Sequence, residues 1–202
     1  PLRLVGSEMC IETDINEGSV KSTIAFYNYG TVGQNEIDHC VGVNNYDDMV
    51  IPEMEFTSND RMVAFGDTKA VIFEGAQKPQ AIAEIPMDEK TKSIFYNEHY
   101  IGIVTGNEDE AVTNHLAVYD ENGKLVMEKD FGLDYSSIEF LTNNEICIRN
   151  ANVCDIYTVH GVYKFHHEFE EELFEIIPGK LKLNYTLVLK DTTQRIRLKK
   201  EE

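Results

Sequence analysis

Leu116-Ala117-Val118-Tyr119-Asp120-Glu121-Asn122-Gly123-Lys124-Leu125-Val126-Met127 reads as a β-hairpin. An apolar run closes on an aromatic residue, an Asn-Gly pair follows, and a second apolar run leaves it. Asn-Gly readily takes the positive φ of a type I′ turn, which predicts two antiparallel strands joined at residues 120–124. The first of these strands has copies. Ile24-Ala25-Phe26-Tyr27-Asn28, Ala70-Val71-Ile72-Phe73-Glu74 and Cys154-Asp155-Ile156-Tyr157-Thr158 repeat its pattern. The aromatic anchors Tyr27, Phe73, Tyr119 and Tyr157 are 46, 46 and 38 residues apart, and a degenerate copy, Arg195-Ile196-Arg197-Leu198, follows. A period of about 40–45 residues is that of a four-stranded propeller blade.

Two more features keep the same beat. Upstream of the anchors, Met54-Glu55-Phe56 leads through Thr57-Ser58-Asn59-Asp60 into Met62-Val63-Ala64-Phe65. Ser93-Ile94-Phe95-Tyr96 leads likewise into Tyr100-Ile101-Gly102-Ile103-Val104, and Ser137-Ile138-Glu139-Phe140-Leu141 into Ile146-Cys147-Ile148. Each is a short strand, a turn rich in Asn and Asp, and a second apolar strand. Phe174-Glu175-Ile176-Ile177 before Tyr185-Thr186-Leu187-Val188-Leu189 is a fourth copy. Downstream of the anchors, Gly161 stands where Gly123 does, and Val162-Tyr163-Lys164-Phe165 supplies the last strand.

The unit is therefore strand, turn, strand, turn, anchored strand, hairpin, strand, and the fold class is all-β with propeller-type four-stranded antiparallel blades. Blades are expected at roughly 3–43, 50–87, 91–131, 135–170 and 173–199 of a single domain spanning 1–202: about four full blades and a partial N-terminal one. A sandwich repeats strands but not groups of four. Propellers have about 4–8 blades, so the chain is either a small ring or, the preferred reading, the C-terminal part of a longer propeller.

Composition narrows function. With 36 acidic against 18 basic side chains the formal charge is −18, which repels nucleic acid phosphates and anionic lipid headgroups. No run of about 18 apolar residues is present, so this segment itself makes no membrane contact. The opening Pro1, followed by Leu2, Leu4 and Val5, reads as an excised segment.

Ser22-Thr23-Ile24-Ala25-Phe26-Tyr27-Asn28-Tyr29-Gly30-Thr31-Val32-Gly33-Gln34-Asn35, Val63-Ala64-Phe65-Gly66-Asp67, Lys92-Ser93-Ile94-Phe95-Tyr96, and Gly161-Val162-Tyr163-Lys164-Phe165 with Ile176-Ile177-Pro178 resemble a family of Gram-positive bacterial proteins. Its members look like an N-terminal membrane anchor followed by an extracytoplasmic propeller, with no assigned activity. The resemblance implies a cell-surface location and an anchor outside residues 1–202; a cytoplasmic location stays open.

No residue set stands out as catalytic, and no cofactor or metal is expected. In Asp38-His39-Cys40 the His sits beside a thiol, but neighbours on a strand point to opposite faces. In His166-His167-Glu168 the same alternation separates the imidazoles, and a solvated strand end is the simpler reading. Glu108-Asp109-Glu110 and Asp47-Asp48 lack the ordered ligands and turn glycine of a calcium loop. Most of the ten Tyr and ten Phe coincide with the anchors and read as core. Tyr29, Tyr46, Tyr135 and Tyr163 fall nearer loops and are the candidates for an exposed binding patch.

A symmetric hairpin around Arg149-Asn150-Ala151-Asn152 would pair Asn150 with Ala151 and set Cys147 opposite Cys154, where a disulfide and two neighbouring thiols are both open readings. Cys10 and Cys40 show no such relation. The function expected is a non-enzymatic binding or scaffold module for a protein, peptide or glycan partner. The alternative is an enzyme or metal-dependent site in the propeller channel that uses acidic residues or His166.

Overall fold

The computed structural model describes residues 7–16, 19–28, 39–58, 60–75, 78–107 and 113–198. Every regular element among them is a β-strand, and the strands form five antiparallel sheets. The first holds β1 (Ser7–Asn16), β2 (Ser19–Asn28) and β3 (His39–Asp47). The second holds β4 (Glu53–Phe56), β5 (Arg61–Phe65), β6 (Lys69–Glu74) and β7 (Gln80–Pro86). The third is β8 (Thr91–Tyr96), β9 (Tyr100–Asn107), β10 (Thr113–Asp120) and β11 (Leu125–Phe131). The fourth is β12 (Ser137–Phe140), β13 (Glu145–Asn150), β14 (Val153–Thr158) and β15 (Tyr163–Glu168). The fifth has three strands, β16 (Leu173–Pro178), β17 (Asn184–Leu189) and β18 (Thr193–Arg197). In every sheet spatial order follows chain order, as in a propeller blade.

The anchors occupy equivalent places. Where the anchored strand pairs with the strand after it, the register slips by one residue between Phe26 and Tyr27, Ile72 and Phe73, Val118 and Tyr119, and Ile156 and Tyr157. Each slip is a β-bulge placed immediately before the aromatic residue, so the bulge belongs to the repeat. It leaves one extra residue on the outer strand, and these residues are Val41, Ile82, Val126 and Lys164.

The chain divides into two compact units, Pro1–Glu89 with Glu121–Lys124, and Lys90–Asp120 with Leu125–Glu202. In the first, the core combines Ile24 and Phe26 of β2, Met62 and Ala64 of β5, and Val71 and Phe73 of β6, closed by Met49 and Ile51. Ser22, fully buried, donates to the Met49 carbonyl at 2.7 Å, which satisfies its hydroxyl inside this core. Gly66 is fixed by the same packing, because a Cβ there would stand 2.9 Å from the Lys69 carbonyl and 2.0 Å from the Met49 methyl.

In the second unit two cores lie between successive sheets. Val104, Leu116 and Val118 of the third sheet meet Ile146, Ile148 and Tyr157 of the fourth. Cys147, Cys154 and Ile156, on the other face of the fourth, meet Leu173, Ile176, Tyr185, Leu187 and Leu189 of the fifth. Within each unit the anchors Phe73 and Tyr157 face the preceding sheet, while Phe26, Val118 and Ile156, each the residue before an anchor, face the following one.

Two details of the turns differ from expectation. The β10–β11 hairpin forms, but positive φ falls on Gly123 alone, at 74°, whereas a type I′ turn needs it at both central residues. The symmetric hairpin at 149–152 is corrected: β13 and β14 pair Asn150 with Val153, Arg149 with Cys154, and Cys147 with Ile156. Reversal takes two residues out of the ladder, Ala151 with φ 45° and Asn152. Their carbonyls are then satisfied by the N–H groups of Leu173 and Phe169, at 3.0 and 2.8 Å.

Candidate functional site

The hairpin between β14 and β15 presents the most exposed apolar pair on an ordered element of the second unit. Val162 is 61% and Tyr163 52% exposed. Their backbone is held: Thr158 N–H donates to the Val162 carbonyl at 2.9 Å, Gly161 N–H returns to the Thr158 carbonyl at 2.9 Å, and Val162 N–H reaches Thr158 Oγ1 at 3.1 Å. Gly161 makes the turn possible with φ 77°. The Tyr163 ring lies 5.3 Å from that of the anchor Tyr157, over which Lys129 Nζ sits at 5.1 Å. Burial and the charge of Asp155 push the Tyr157 hydroxyl up to about 12, so it stays a neutral donor at physiological pH. The result is one exposed ring and a protruding valine, backed by the buried Tyr157 ring and the Lys129 ammonium.

The other candidate tyrosines lie elsewhere. Tyr29 falls outside the described residues. Tyr46 is half-buried on β3, with Lys69 Nζ 5.5 Å from its ring; burial first, then Glu84, pushes its hydroxyl up to about 12. Tyr135 lies in the connection before β12, packs on Phe131 at 5.7 Å and shares a 2.7 Å hydrogen bond with Ser93. Tyr135 and Tyr163 therefore belong to opposite ends of their sheets, one at an inter-sheet connection and one at a hairpin tip.

A polar cluster that the sequence reading did not single out joins the fourth and fifth sheets. Glu145 is 8% exposed; its carboxylate accepts from Tyr185 Oη at 2.5 Å and pairs with the Lys164 ammonium. Lys164 also reaches Tyr185 Oη at 3.2 Å. Burial, then the hydrogen bond to Glu145, raises the Tyr185 hydroxyl far above its usual range. Lys164 is the extra residue of the bulge, and a bulge re-aims the side chain it carries. Aligning the repeats would have exposed it, because a Lys stands where the other bulges have Val41, Ile82 and Val126. The cluster clamps two sheets, and its Tyr185 also lines a cavity of about 570 Å³ with Lys180, Leu181, Arg195 and Arg197.

The remaining candidate groups have structural partners. His166 Nδ1 lies 2.7 Å from Asp155 Oδ1, and His167 packs on Phe169 at 4.6 Å. Asp48 is a turn residue with φ 55° whose N–H donates to the Val20 carbonyl. Asp38 and the tract 108–110 lie outside the described residues; Cys40, on β3, is exposed. Among the described residues, no group of three or more His, Cys, Asp and Glu side chains could hold a metal ion.

Cys147 and Cys154 are diagonal neighbours on one face rather than directly opposed, and their sulfurs are 3.7 Å apart as free thiols. The hydrogen bond between them, then burial, holds the Cys154 thiol well above the ordinary range. Cys154 therefore stays a thiol at neutral pH. Native protein treated with iodoacetamide is expected to label Cys40 while Cys147 and Cys154 react only after unfolding, as read by peptide mass spectrometry. Labelling of either buried cysteine at the rate of Cys40 would contradict this placement.

Sheet topology, repeated bulge and face-to-face stacking define the class: an all-β protein of propeller-type blades. Residues 7–198 match the family of unknown function DUF5711, and the chain belongs to that family. No curated protein matches its sequence significantly. In structure it is similar to a eukaryotic initiation factor, with 13% identity, a TM-score of 0.47, and coverage of 83% of this chain and 56% of that one. BamB from Moraxella catarrhalis shares 11% identity at TM-score 0.46, covering 94% of this chain and 57% of BamB. The WD40 domain of Neurospora crassa Pan2 shares 6% identity at TM-score 0.45, covering 93% and 63%. The chain thus spans less than two thirds of each of these three proteins.

Proposed function

We propose that this chain is a non-enzymatic binding or scaffold module of the bacterial cell surface, tethered by an anchor outside residues 1–202, that engages a protein, peptide or glycan partner. The observation that carries the reading is the Val162–Tyr163 hairpin, where large apolar side chains are held in water on a hydrogen-bonded turn. Exposed apolar groups on a rigid element mark contact surfaces, and Tyr in particular offers area at low entropic cost. An acidic surface favours partners that carry basic or neutral groups.

A photo-crosslinking residue at position 163, introduced in living cells, is expected to yield a discrete adduct that the same residue at Glu170 does not. A membrane-impermeant maleimide is expected to label Cys40 on intact cells. Crosslinking that does not distinguish the two positions would overturn the binding reading, and protection of Cys40 until lysis would overturn the location.

A further inference from the structure

Leu181, 74% exposed, is held in water by a second pinned turn. It lies in residues 179–183, between β16 and β17. Its carbonyl accepts from Asn184 N–H and from Asn184 Nδ2, each at 3.2 Å, and Gly179 N–H donates to the Asn184 carbonyl at 2.7 Å. This turn and the Val162–Tyr163 hairpin stand at the same end of their sheets. Alternate strands of an antiparallel sheet finish on one side, and Glu145, Lys164 and Tyr185, which meet, lie at the starts of β13, β15 and β17. The hairpin ends of the fourth and fifth sheets therefore coincide. The third sheet shares that end, since Asn97 Nδ2 of its first turn donates to Asn144 Oδ1 of the fourth sheet's at 2.8 Å.

Apolar exposure and charge both divide between the two ends of this unit. Of its exposed large hydrophobics, Leu125, Val162, Tyr163, Ile177 and Leu181 stand at the hairpin end and Phe174 at the other. The turns at the hairpin end, 97–99, 141–144, 159–162 and 179–183, carry Lys180 and Lys182 against Glu98. Those at the opposite end, 132–136, 151–152, 169–172 and 190–192, carry Asp134, Glu170, Glu171, Glu172 and Asp191 against Lys190. A strand of six residues spans about 20 Å, well beyond the Debye length of about 8 Å at physiological salt. The acid surplus that favours basic partners for the chain as a whole is thus screened at the hairpin end, where the lysines set the local charge. Both lysines are exposed, and neither has an ion-pair partner among the described residues.

We propose that the hairpin end of this unit binds a partner protein through a segment of apolar side chains flanked by carboxylates. The apolar groups lie over Val162, Tyr163 and Leu181, and the carboxylates meet Lys180 and Lys182. One surface joins the two turns: Lys164 follows Tyr163 in the chain and reaches Tyr185 Oη at 3.2 Å, and Tyr185 lines the cavity with Lys180 and Leu181. The inference rests on the binding reading above and adds the chemistry of the partner. A neutral glycan would stack on Tyr163 and leave the lysines unused, and a basic segment would be repelled by them.

The test places photo-crosslinking residues at 163 and, separately, at 181 in living cells. Position 181 is expected to yield the adduct obtained from 163, and the crosslinked peptide, sequenced by mass spectrometry, is expected to hold more Asp and Glu than Lys and Arg. Lys180→Glu/Lys182→Glu is expected to cut the yield from 163 at least about fivefold, while Lys180→Arg/Lys182→Arg retains it. Both pairs sit on an exposed turn, so the urea midpoint of each purified variant is expected to stay that of the parent. A yield unmoved by the charge reversal, an adduct at 163 with none at 181, or a neutral or basic crosslinked peptide would each overturn this inference and leave the binding reading standing. Absence of any adduct at 163 would overturn that reading and this inference with it.

Discussion

Lys164→Met is expected to destabilise the protein by about 3–5 kcal/mol, read as a fall in the urea midpoint at unchanged slope. The substituted side chain is of similar length, so packing changes little, but the Glu145 carboxylate loses its counter-ion at a site where side-chain exposure is only 11%. Tyr185 Oη still donates at 2.5 Å, and one neutral donor does not offset a buried charge. The double variant Glu145→Gln/Lys164→Met removes the charge as well as its partner and is expected to recover at least about 2 kcal/mol of the loss. If the single variant cost under about 1 kcal/mol, the pair would be behaving as a screened surface contact and the clamp would be discarded.

Phe73→Ala is expected to cost a similar 3–5 kcal/mol, for a different reason. The ring is fully buried, meets Phe26 edge-on at 5.3 Å, and sits among Met62, Ala64 and Val71. Truncation forfeits its transfer free energy and leaves a void that stiff strands on both sides cannot close. Phe56, 42% exposed on β4, is the internal control, and Phe56→Ala is expected to stay within about 0.5 kcal/mol of the parent. Comparable losses at both positions would remove the distinction between anchor and surface aromatics.

The repeat was legible because it is written in local patterns. Tyr27, Phe73, Tyr119 and Tyr157 mark one strand in each of the first four sheets, and apolar runs with Asn-rich turns mark the strand before it in the second to fourth. Register was less so. Cys147 and Cys154 look directly opposed on paper, but the two residues spent on reversal at Ala151-Asn152 move the pairing by two places. A period of two preserves the face under that shift, which is why the sulfurs still meet although their backbones do not pair.

Contacts across sheets were the least legible. Nothing in the spacing of Glu145, Lys164 and Tyr185 announces a cluster, since their encounter depends on a bulge and on two sheets stacking. Tyr163 was a candidate for its place near a turn, and the hairpin geometry displays it; Tyr135 shared that attribute, yet Ser93 and Phe131 engage it. Proximity to a loop does not separate these cases, because the side chain's direction is set by the strand it precedes.

Since, among the described residues, every strand pairs only with its immediate predecessor and successor, each of these sheets can form from a few dozen contiguous residues. Local closure of this kind keeps contact order low for an all-β chain. During synthesis, about 5–20 residues emerge each second, so one sheet has seconds to form before the next leaves the ribosome. Within each unit assembly can then proceed by accretion, a finished sheet offering its following face as the surface on which the newcomer condenses.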